Sequence, residues 1–434
     1  MMIANKVDIL LGLQWGDEGK GKVVDYLSKD YDIIARFNGG PNAGHTLEFN
    51  GIKHALHIIP SGICHKDKQN IIGNGVLIEP CIFLEEIESL QNIGYTPKDN
   101  LIISNKAHLI LPTHRLLDAA NEKAKGDKKI GSTLKGIGPA YTDKVARTGI
   151  RVGDVFEKDF TEKYFSIKNL HINQIKSLGF TPQEFSISDK TLEEYEKLWF
   201  EAIEEVKTFN ITNTEYYINQ KLQEGKRILA EGAQATMLDI DFGSYPFVTS
   251  STTISAGVCL GLGIAPTYIG RVYGTTKAYC TRVGSGPFPT ELFDQTGEQL
   301  CEQGHEYGVT TGRKRRTGWL DIVALRYACM LNGVTDLMLM KIDVLDNFSQ
   351  VKLCEKYSIN GKEIDYIPYN MSADKITPIY SSYKGWMQSV SKIRDYEALP
   401  LEIKDYISAI EQKTGIKVKL ISVSPDREDT IIRQ

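Results

Sequence analysis

None of the seven cysteines sits at CxxC spacing, and no stretch of the chain is basic, repetitive or apolar for long. Each absence excludes a class of function. Cys64, Cys81, Cys259, Cys280, Cys301, Cys329 and Cys354, odd in number and without pattern, give neither a zinc knuckle nor a disulfide framework. They read as small buried apolar residues of a protein in a reducing compartment. A net charge of -4 with no long run of Lys and Arg argues against a nucleic-acid surface, which concentrates cations on one face. It leaves room for a local cluster that binds a phosphorylated small molecule. The apolar run in MMIANKVDILLGLQWG is short and broken by Gly12, lacking both a cleavage site and the length of a membrane span. A cytoplasmic protein with no membrane partner is expected. With 434 residues, 41% hydrophobic and 24% charged, the chain has ordinary material for a large core. No repeat or linker divides it, so we expect one large domain over residues 1–434 with helical insertions near 104–126 and 155–228.

What is present is an alternation of buried strands and helices. VDILLGL (7–13) reads as a strand, a helix begins near Gly21, and YDIIARF (31–37) reads as a second strand. Strand, glycine loop, helix, strand opens an α/β fold with a parallel sheet. GSTLKGIGP (131–139) reads as a loop and most of 155–228 as surface helices. PTYIGRVYGTTKAY (266–279) and TDLMLMKIDVL (335–345) read as strands around the helix WLDIVALRYACMLNG (319–333). A closing helix, LEIKDYISAIEQKTG, ends at Gly415 in a C-cap position and leads into the strand IKVKLISV. The fold class is α/β: a large, mostly parallel central sheet flanked by helices, P-loop-NTPase-like, with helical and small antiparallel insertions.

Between the first strand and helix lies GLQWGDEGKGKVVDYL. Gly16, Gly19 and Gly21 let backbone amides crowd around an anion, and the helix N-terminus adds partial positive charge. Lys20 or Lys22 supplies a point charge. No Ser or Thr follows the lysine as in GxxxxGK[ST], so Asp17 is the candidate magnesium ligand. On spacing alone the segment also fits a tight, solvated turn ahead of a helix. FNGGPNAGHTLEF then places Asn42 and His45 in a glycine-rich loop after the second strand, where open α/β sheets carry their sites.

QWGDEGKGKVVD and GGPNAGHT together resemble the adenylosuccinate synthetase family. The resemblance continues in order through HIIPSGI, IGNGVLIEP, KGIGPAYTDKVARTGIRVGD, EGAQATMLDIDFGSYPFVTSS, TRVGSGPFPTEL, VTTGRKRRTGWLDIVALRYA, KIDVLD and SPDRE. It implies a carbon–nitrogen ligase that uses GTP and magnesium to join aspartate to inosine monophosphate (IMP). Phosphorylation of O6 of the base precedes displacement of that phosphate by the aspartate amine. The chemistry explains the order, because a ring carbonyl oxygen leaves poorly and phosphate leaves well. The site must then position the reactants and stabilise charge on the transferring group.

By resemblance, Asp17 takes the N1 proton and His45 is the general acid near the GTP phosphates, with Asp17 and the Gly44 carbonyl as metal ligands. Gly16, Glu18, Gly19, Lys20, Gly21 and Lys22 would hold GTP phosphates. Arg315 would lie on the GTP side, and Lys341, Asp343, Ser422 and Ser424 at the base. A carboxylate at Asp343 can accept from N1 and the exocyclic amine of guanine, which adenine does not offer. IMP would meet Asp17, Asn42, Ala43, Gly44, His45, Thr133, Gln234, Thr249 and Arg313, and Arg147 would reach the neighbouring active site of a homodimer. Val309, Thr310, Thr311, Gly312 and Arg313 would close over aspartate, since guanidinium pairs bidentately with carboxylate.

The chain departs from the family pattern at five places. Leu134-Lys135 stands for Gly-Arg, Ala235 for a glycine, Asn38 for a glutamine, Lys314 for an arginine and Ser424 for a glycine. A negative φ at 235 would tolerate the alanine. The residues alone leave two other classes open: a related nucleotide-dependent ligase or kinase with another acceptor, and a non-catalytic nucleotide-binding protein.

Overall fold

Short runs of Val, Ile and Leu, buried on both faces, build a central sheet of ten strands. In the computed structural model, which describes residues 6–49, 51–308, 312, 314–371 and 375–433, their spatial order starts at Thr430–Ile432 and Val418–Ser422. It continues through Asp336–Met340, Ile269–Lys277, Val7–Gly12, Ile228–Glu231, Ile33–Arg36, Gln69–Ile72 and Leu101–Ser104 to Asn210–Thr212. Every pairing is parallel except that of Val418–Ser422 with Thr430–Ile432. Small antiparallel pairs, such as His45–Phe49 with Ile52–Leu56, sit outside the main sheet. The α/β architecture expected from the sequence is therefore the one observed.

The strand order has a functional consequence. Val7–Gly12 lies mid-sheet; the chain builds one flank, returns to insert Ile228–Glu231 beside it, and then builds the other. The loops that leave the carboxyl ends of Val7–Gly12, Ile33–Arg36 and Ile228–Glu231 thus meet at a topological switch point, where open parallel sheets bind ligands.

Local boundaries differ from the sequence reading for identifiable reasons. The helix Ile137–Ala146 starts inside the expected 131–139 loop, because Gly136 at φ 76 turns the chain and Pro139 fits a first helical turn. The 335–345 segment is strand only over Asp336–Met340; Lys341 turns left-handed at φ 58 and a 3-10 turn, Ile342–Leu345, follows. Within 104–126 the helix is Pro112–Ala124, and 155–228 holds the helices Phe160–Ser177, Leu192–Val206 and Thr214–Gln223. That insertion also supplies the edge strand Asn210–Thr212 of the main sheet. Trp199, fully buried, anchors it by donating to the Ile110 carbonyl at 2.9 Å and packing on Tyr164. Among the described residues no helix is long and apolar enough to cross a membrane.

Three chain segments converge on Phe37 at the end of Ile33–Arg36. A Cβ at Gly261 would lie 2.0 Å from the Phe37 carbonyl oxygen, and one at Gly75 would lie 2.1 Å from the same atom. Only hydrogen fits between these backbones. Gly261→Ala should therefore lower unfolding free energy by about 1–3 kcal/mol, as overpacking does. Chemical denaturation checks this, and an unchanged midpoint would refute the close approach.

Candidate active site

Gly19 caps the first helix, Lys20–Ser28, in the left-handed conformation at φ 88, and no side chain caps it. The first-turn N–H groups therefore remain for an anion. Glu18 is turned inward: its Oε1 accepts from the N–H of Gln14 (3.1 Å) and Gly16 (2.9 Å), and its Oε2 from Lys20 Nζ at 2.6 Å. This acid shapes the loop rather than meeting phosphate. Asp17, at φ 60, projects from the bend, and the Arg315 Nε lies 2.8 Å from its Oδ2, an ion pair without in-line hydrogen-bond geometry.

Lys22, expected among the phosphate ligands, faces elsewhere. Its amine donates to Ser422 Oγ (2.7 Å) and to the carbonyls of Ser424 (2.7 Å) and Asp429 (3.0 Å). Asp343 stands at the end of Asp336–Met340 with a buried, unpartnered Oδ1, and burial raises its carboxyl to about 6. Lys341 donates to the Gly304 carbonyl (2.7 Å) and to Glu306 (2.8 Å). Glu306, fully buried, also accepts from Lys277 Nζ at 2.8 Å, the Tyr279 hydroxyl and Arg315 Nη1 at 2.7 Å. Burial opposes its charge, yet Lys277, Lys341 and Arg315 hold the carboxyl well below the usual range. Tyr307 bridges Lys314, which closes the base of the loop that carries Gly312, itself exposed at φ 62. Val309, Thr310, Thr311 and Arg313 lie outside the described residues.

His45 begins the strand after the GGPNAG loop. Its Nδ1 faces Glu231, so the ring donates there to a carboxylate that can only accept, while its buried Nε2 has no partner. Ser61 fixes Glu231 from the other side, through its hydroxyl (2.5 Å) and its N–H (2.7 Å). Burial pushes the His45 imidazole below its ordinary value, with Glu231 opposing. Arg36, fully buried beside Glu231 in the strand register, supplies compensating charge. His57 Nδ1 donates to the Ala43 carbonyl at 2.6 Å, which steadies the backbone leading into Gly44. A Cβ at Gly44 would meet nothing within 4 Å, so that stretch borders open space.

The loop after Ile228–Glu231 packs against both preceding loops. Asn38 binds Ala233 through its N–H (2.8 Å) and carbonyl (3.2 Å), so the asparagine departure still ties the strands together. Ala235 has φ -162, an extended geometry that accepts alanine where glycine is common. Gln234, at φ 58, has a buried Nε2 without a partner, as do Oγ1 of Thr249 and Oδ1 of Asn42. Thr133 is exposed in a loop held by acids of Pro112–Ala124. Glu122 accepts from the N–H of Gly131 (2.9 Å) and Ser132 (3.2 Å), and Asp118 from Ser132 Oγ (2.7 Å) and Gly136 N–H (3.0 Å). Leu134 takes the glycine's place at φ 55, so the departure left the turn left-handed and carries its strain on an exposed side chain. Arg147, exposed at φ 66, ends the helix Ile137–Ala146, and among the described residues its guanidinium has no hydrogen-bond or ion-pair partner.

That helix is pinned by His114, Asp143 and His171, all buried, whose ligand atoms lie within 4.8 Å of one another. Hydrogen bonds alone account for the cluster without a metal. His114 Nδ1 accepts from the Leu111 N–H (2.9 Å), so its Nε2 carries the hydrogen donated to Asp143 (2.9 Å). His171 likewise donates Nε2–H to Asp143 (3.0 Å) and accepts from Thr113 (2.8 Å) at Nδ1. Burial drives His114 down to about 4, which keeps it neutral.

The sequence reading missed the supporting acids Glu231, Glu306, Asp118 and Glu122. Only Glu231 left a signal, an acid that closes an otherwise apolar strand, ILAE.

A sequence model of the adenylosuccinate synthetase family matches residues 9–431. An adenylosuccinate synthetase of Bacteroides fragilis is 58% identical over 428 residues, 99% of each chain. One of Flavobacterium johnsoniae is 56% identical over 427 residues, 98% of this chain and all of its own. The solved structure of a fully ligated adenylosuccinate synthetase from Plasmodium falciparum superposes with a TM-score of 0.92 at 38% identity, covering 99% of this chain and 100% of that one. A succinoaminodeoxyadenylate synthetase of cyanophage S-2L, 20% identical with a TM-score of 0.61, shares the fold.

Asp143→Ala orphans two buried imidazole N–H groups and should cost about 2–4 kcal/mol of unfolding free energy. EDTA should leave the melting temperature of the unmodified protein unchanged. A drop on chelation would return the cluster to a metal site.

Proposed function

The chain belongs to the adenylosuccinate synthetase family, and from that premise we infer how its residues divide the work at the switch point. The reaction is the GTP-dependent ligation of L-aspartate to IMP, giving adenylosuccinate, GDP and phosphate through 6-phosphoryl-IMP, the first committed step from IMP to AMP. It is that of a carbon–nitrogen ligase, EC 6.3.4.4.

One observation carries the assignment of roles. Buried polar atoms without partners occur in several parts of the chain, Arg36 and Thr275 among them, and five of the residues that carry one, Asn42, His45, Gln234, Thr249 and Asp343, are those the sequence marks as substrate contacts. In our reading IMP satisfies Asn42, Gln234 and Thr249, the transferring phosphoryl group satisfies His45, and guanine satisfies Asp343. Asp17 accepts the N1 proton of IMP, which raises electron density on O6 for attack on the γ-phosphate. Arg315, near its carboxylate, must then release Asp17 and turn to the phosphates. His45 acts as the imidazolium, a form that burial alone disfavours and that the phosphates of bound GTP, facing Nε2, bring back. Glu231 stabilises that form at Nδ1, and the acidic proton on Nε2 faces the transferring group. Lys20, Gly19, Gly21 and the helix terminus hold the triphosphate.

The partly exposed carboxylate of Asp17 and the carbonyl of Gly44, beside open space, are hard oxygen donors that fit Mg2+ together with phosphate oxygens. The ion, when bound, neutralises phosphate charge. Val309, Thr310, Thr311, Gly312 and Arg313 clamp aspartate in this reading. The unpartnered Arg147 reaches the IMP phosphate of the neighbouring subunit, so the working unit is a homodimer of single-domain chains. Seven free thiols and nucleotide substrates suit the cytoplasm.

Adenylosuccinate absorbance should rise only when GTP, IMP, aspartate and magnesium are all present. Product formed without one of them would refute the assignment. Asp17→Asn and His45→Asn should each lower kcat by about 10²–10⁴-fold, the range for a positioned acid or base. A tenfold loss or less would remove the residue from proton transfer.

A further inference from the structure

We propose that Lys22 is a positioning residue for guanine selection: it holds the C-terminal segment 422–429 against the first helix, where Asp343 reads the base. The inference rests on the base pocket proposed above. An ammonium group has three protons, and here all three have acceptors: Ser422 Oγ at 2.7 Å, the Ser424 carbonyl at 2.7 Å and the Asp429 carbonyl at 3.0 Å. None remains for a phosphate oxygen, although Lys22 lies two residues from Lys20 in the glycine loop.

The three acceptors belong to one turn that follows the strand Val418–Ser422. The Ser422 hydroxyl donates in its turn to the Ser424 carbonyl at 3.1 Å, and Val423 N–H donates to the Asp429 carbonyl at 3.1 Å. Lys22 thus fills the centre of a folded segment rather than touching its rim. Two of its contacts are backbone carbonyls, so the serine that replaces glycine at 424 leaves them intact. One turn further along the same helix, Asp25 pairs with Arg427 at 3.2 Å, a second tether on the segment.

The amine is buried, and that burial brings it down to about 8. Asp343, Asp429 and Asp426 oppose the loss of charge, and Arg394 favours it. The strand Asp336–Met340 pairs with Val418–Ser422 in the sheet, so the turn that holds Asp343 and the turn that holds the Lys22 amine follow neighbouring strands. Because Lys22 is on the helix whose N-terminus faces the triphosphate, base selection and phosphate binding share one rigid element.

Steady-state kinetics of Lys22→Met with GTP and with inosine 5′-triphosphate separate the possible roles. The two nucleotides have the same triphosphate, and the second lacks the 2-amino group. Loss of charge-assisted hydrogen bonds should raise KM for GTP about tenfold or more and shrink the preference for GTP by a similar factor. The KM for inosine triphosphate should rise far less, and kcat at saturating GTP should fall less than KM rises. An equal rise for both nucleotides would make Lys22 a phosphate ligand and overturn the proposal, as would no change for either. Lys22→Arg keeps the charge but cannot place three N–H groups around one point. It should move the preference in the same direction by a smaller factor, which tests the idea if the methionine variant does not fold. The unmodified enzyme is the control for the pocket itself: no preference for GTP over inosine triphosphate there would refute the Asp343 reading rather than the role of Lys22.

Discussion

A carboxylate buried at the end of a central strand is the constraint on which the site depends. Glu231 lies between the phosphate loop and the GGPNAG loop, fully removed from water. Such a charge persists only if it is met on every side. Ser61 meets it with a hydroxyl and an N–H and His45 with Nδ1–H, while Arg36, one strand away, adds positive charge without a hydrogen bond. Burial alone would raise this carboxyl, but His45, Arg36 and Ser61 hold it below its ordinary value. The ring of His45 is consequently fixed in tautomer and direction before any ligand arrives. Glu306 repeats the device on the other side of the first strand, gathering Lys277, Lys341 and Arg315 around one carboxylate. Two buried acids thus orient His45 on one side and Lys277, Lys341 and Arg315 on the other. Part of the cost of ordering the reactants is met during folding.

The fold was legible because its cause is local. VDILLGL, YDIIARF and TDLMLM are apolar runs of strand length, and glycines mark their ends. The glycine loop after the first strand and the histidine loop were legible as loops, since glycine density and polar residues after a strand are visible in one dimension. The supporting charges were not. Asp118, Glu122 and Glu306 lie in segments whose acids look like those of any solvated helix or turn, and only the folded chain shows which acids are buried. Lys22 illustrates the same limit. Its spacing beside Lys20 suggested phosphate, whereas its partners come from a segment some four hundred residues away.

The departures from the family pattern sort by backbone. Ala235 sits where the chain is extended and needs no glycine. Leu134 sits where it is left-handed, so the turn is retained by its neighbours, with Asp118 and Glu122 fastening the loop on either side. Ser424 contributes its carbonyl, which any residue has.

The parallel sheet also sets an order in time. The glycine loop and helix proposed to hold the triphosphate lie within the first tenth of the chain, whereas the strand beside Asp343 and the turn around Lys22 come from the last. During synthesis on the ribosome, the proposed anion site emerges long before the residues proposed to tell one purine from another. In the reading proposed above, a product that ends before Val418 carries Asp343 without the strand and the turn packed beside it, so the choice of nucleotide waits for the last residues to be made.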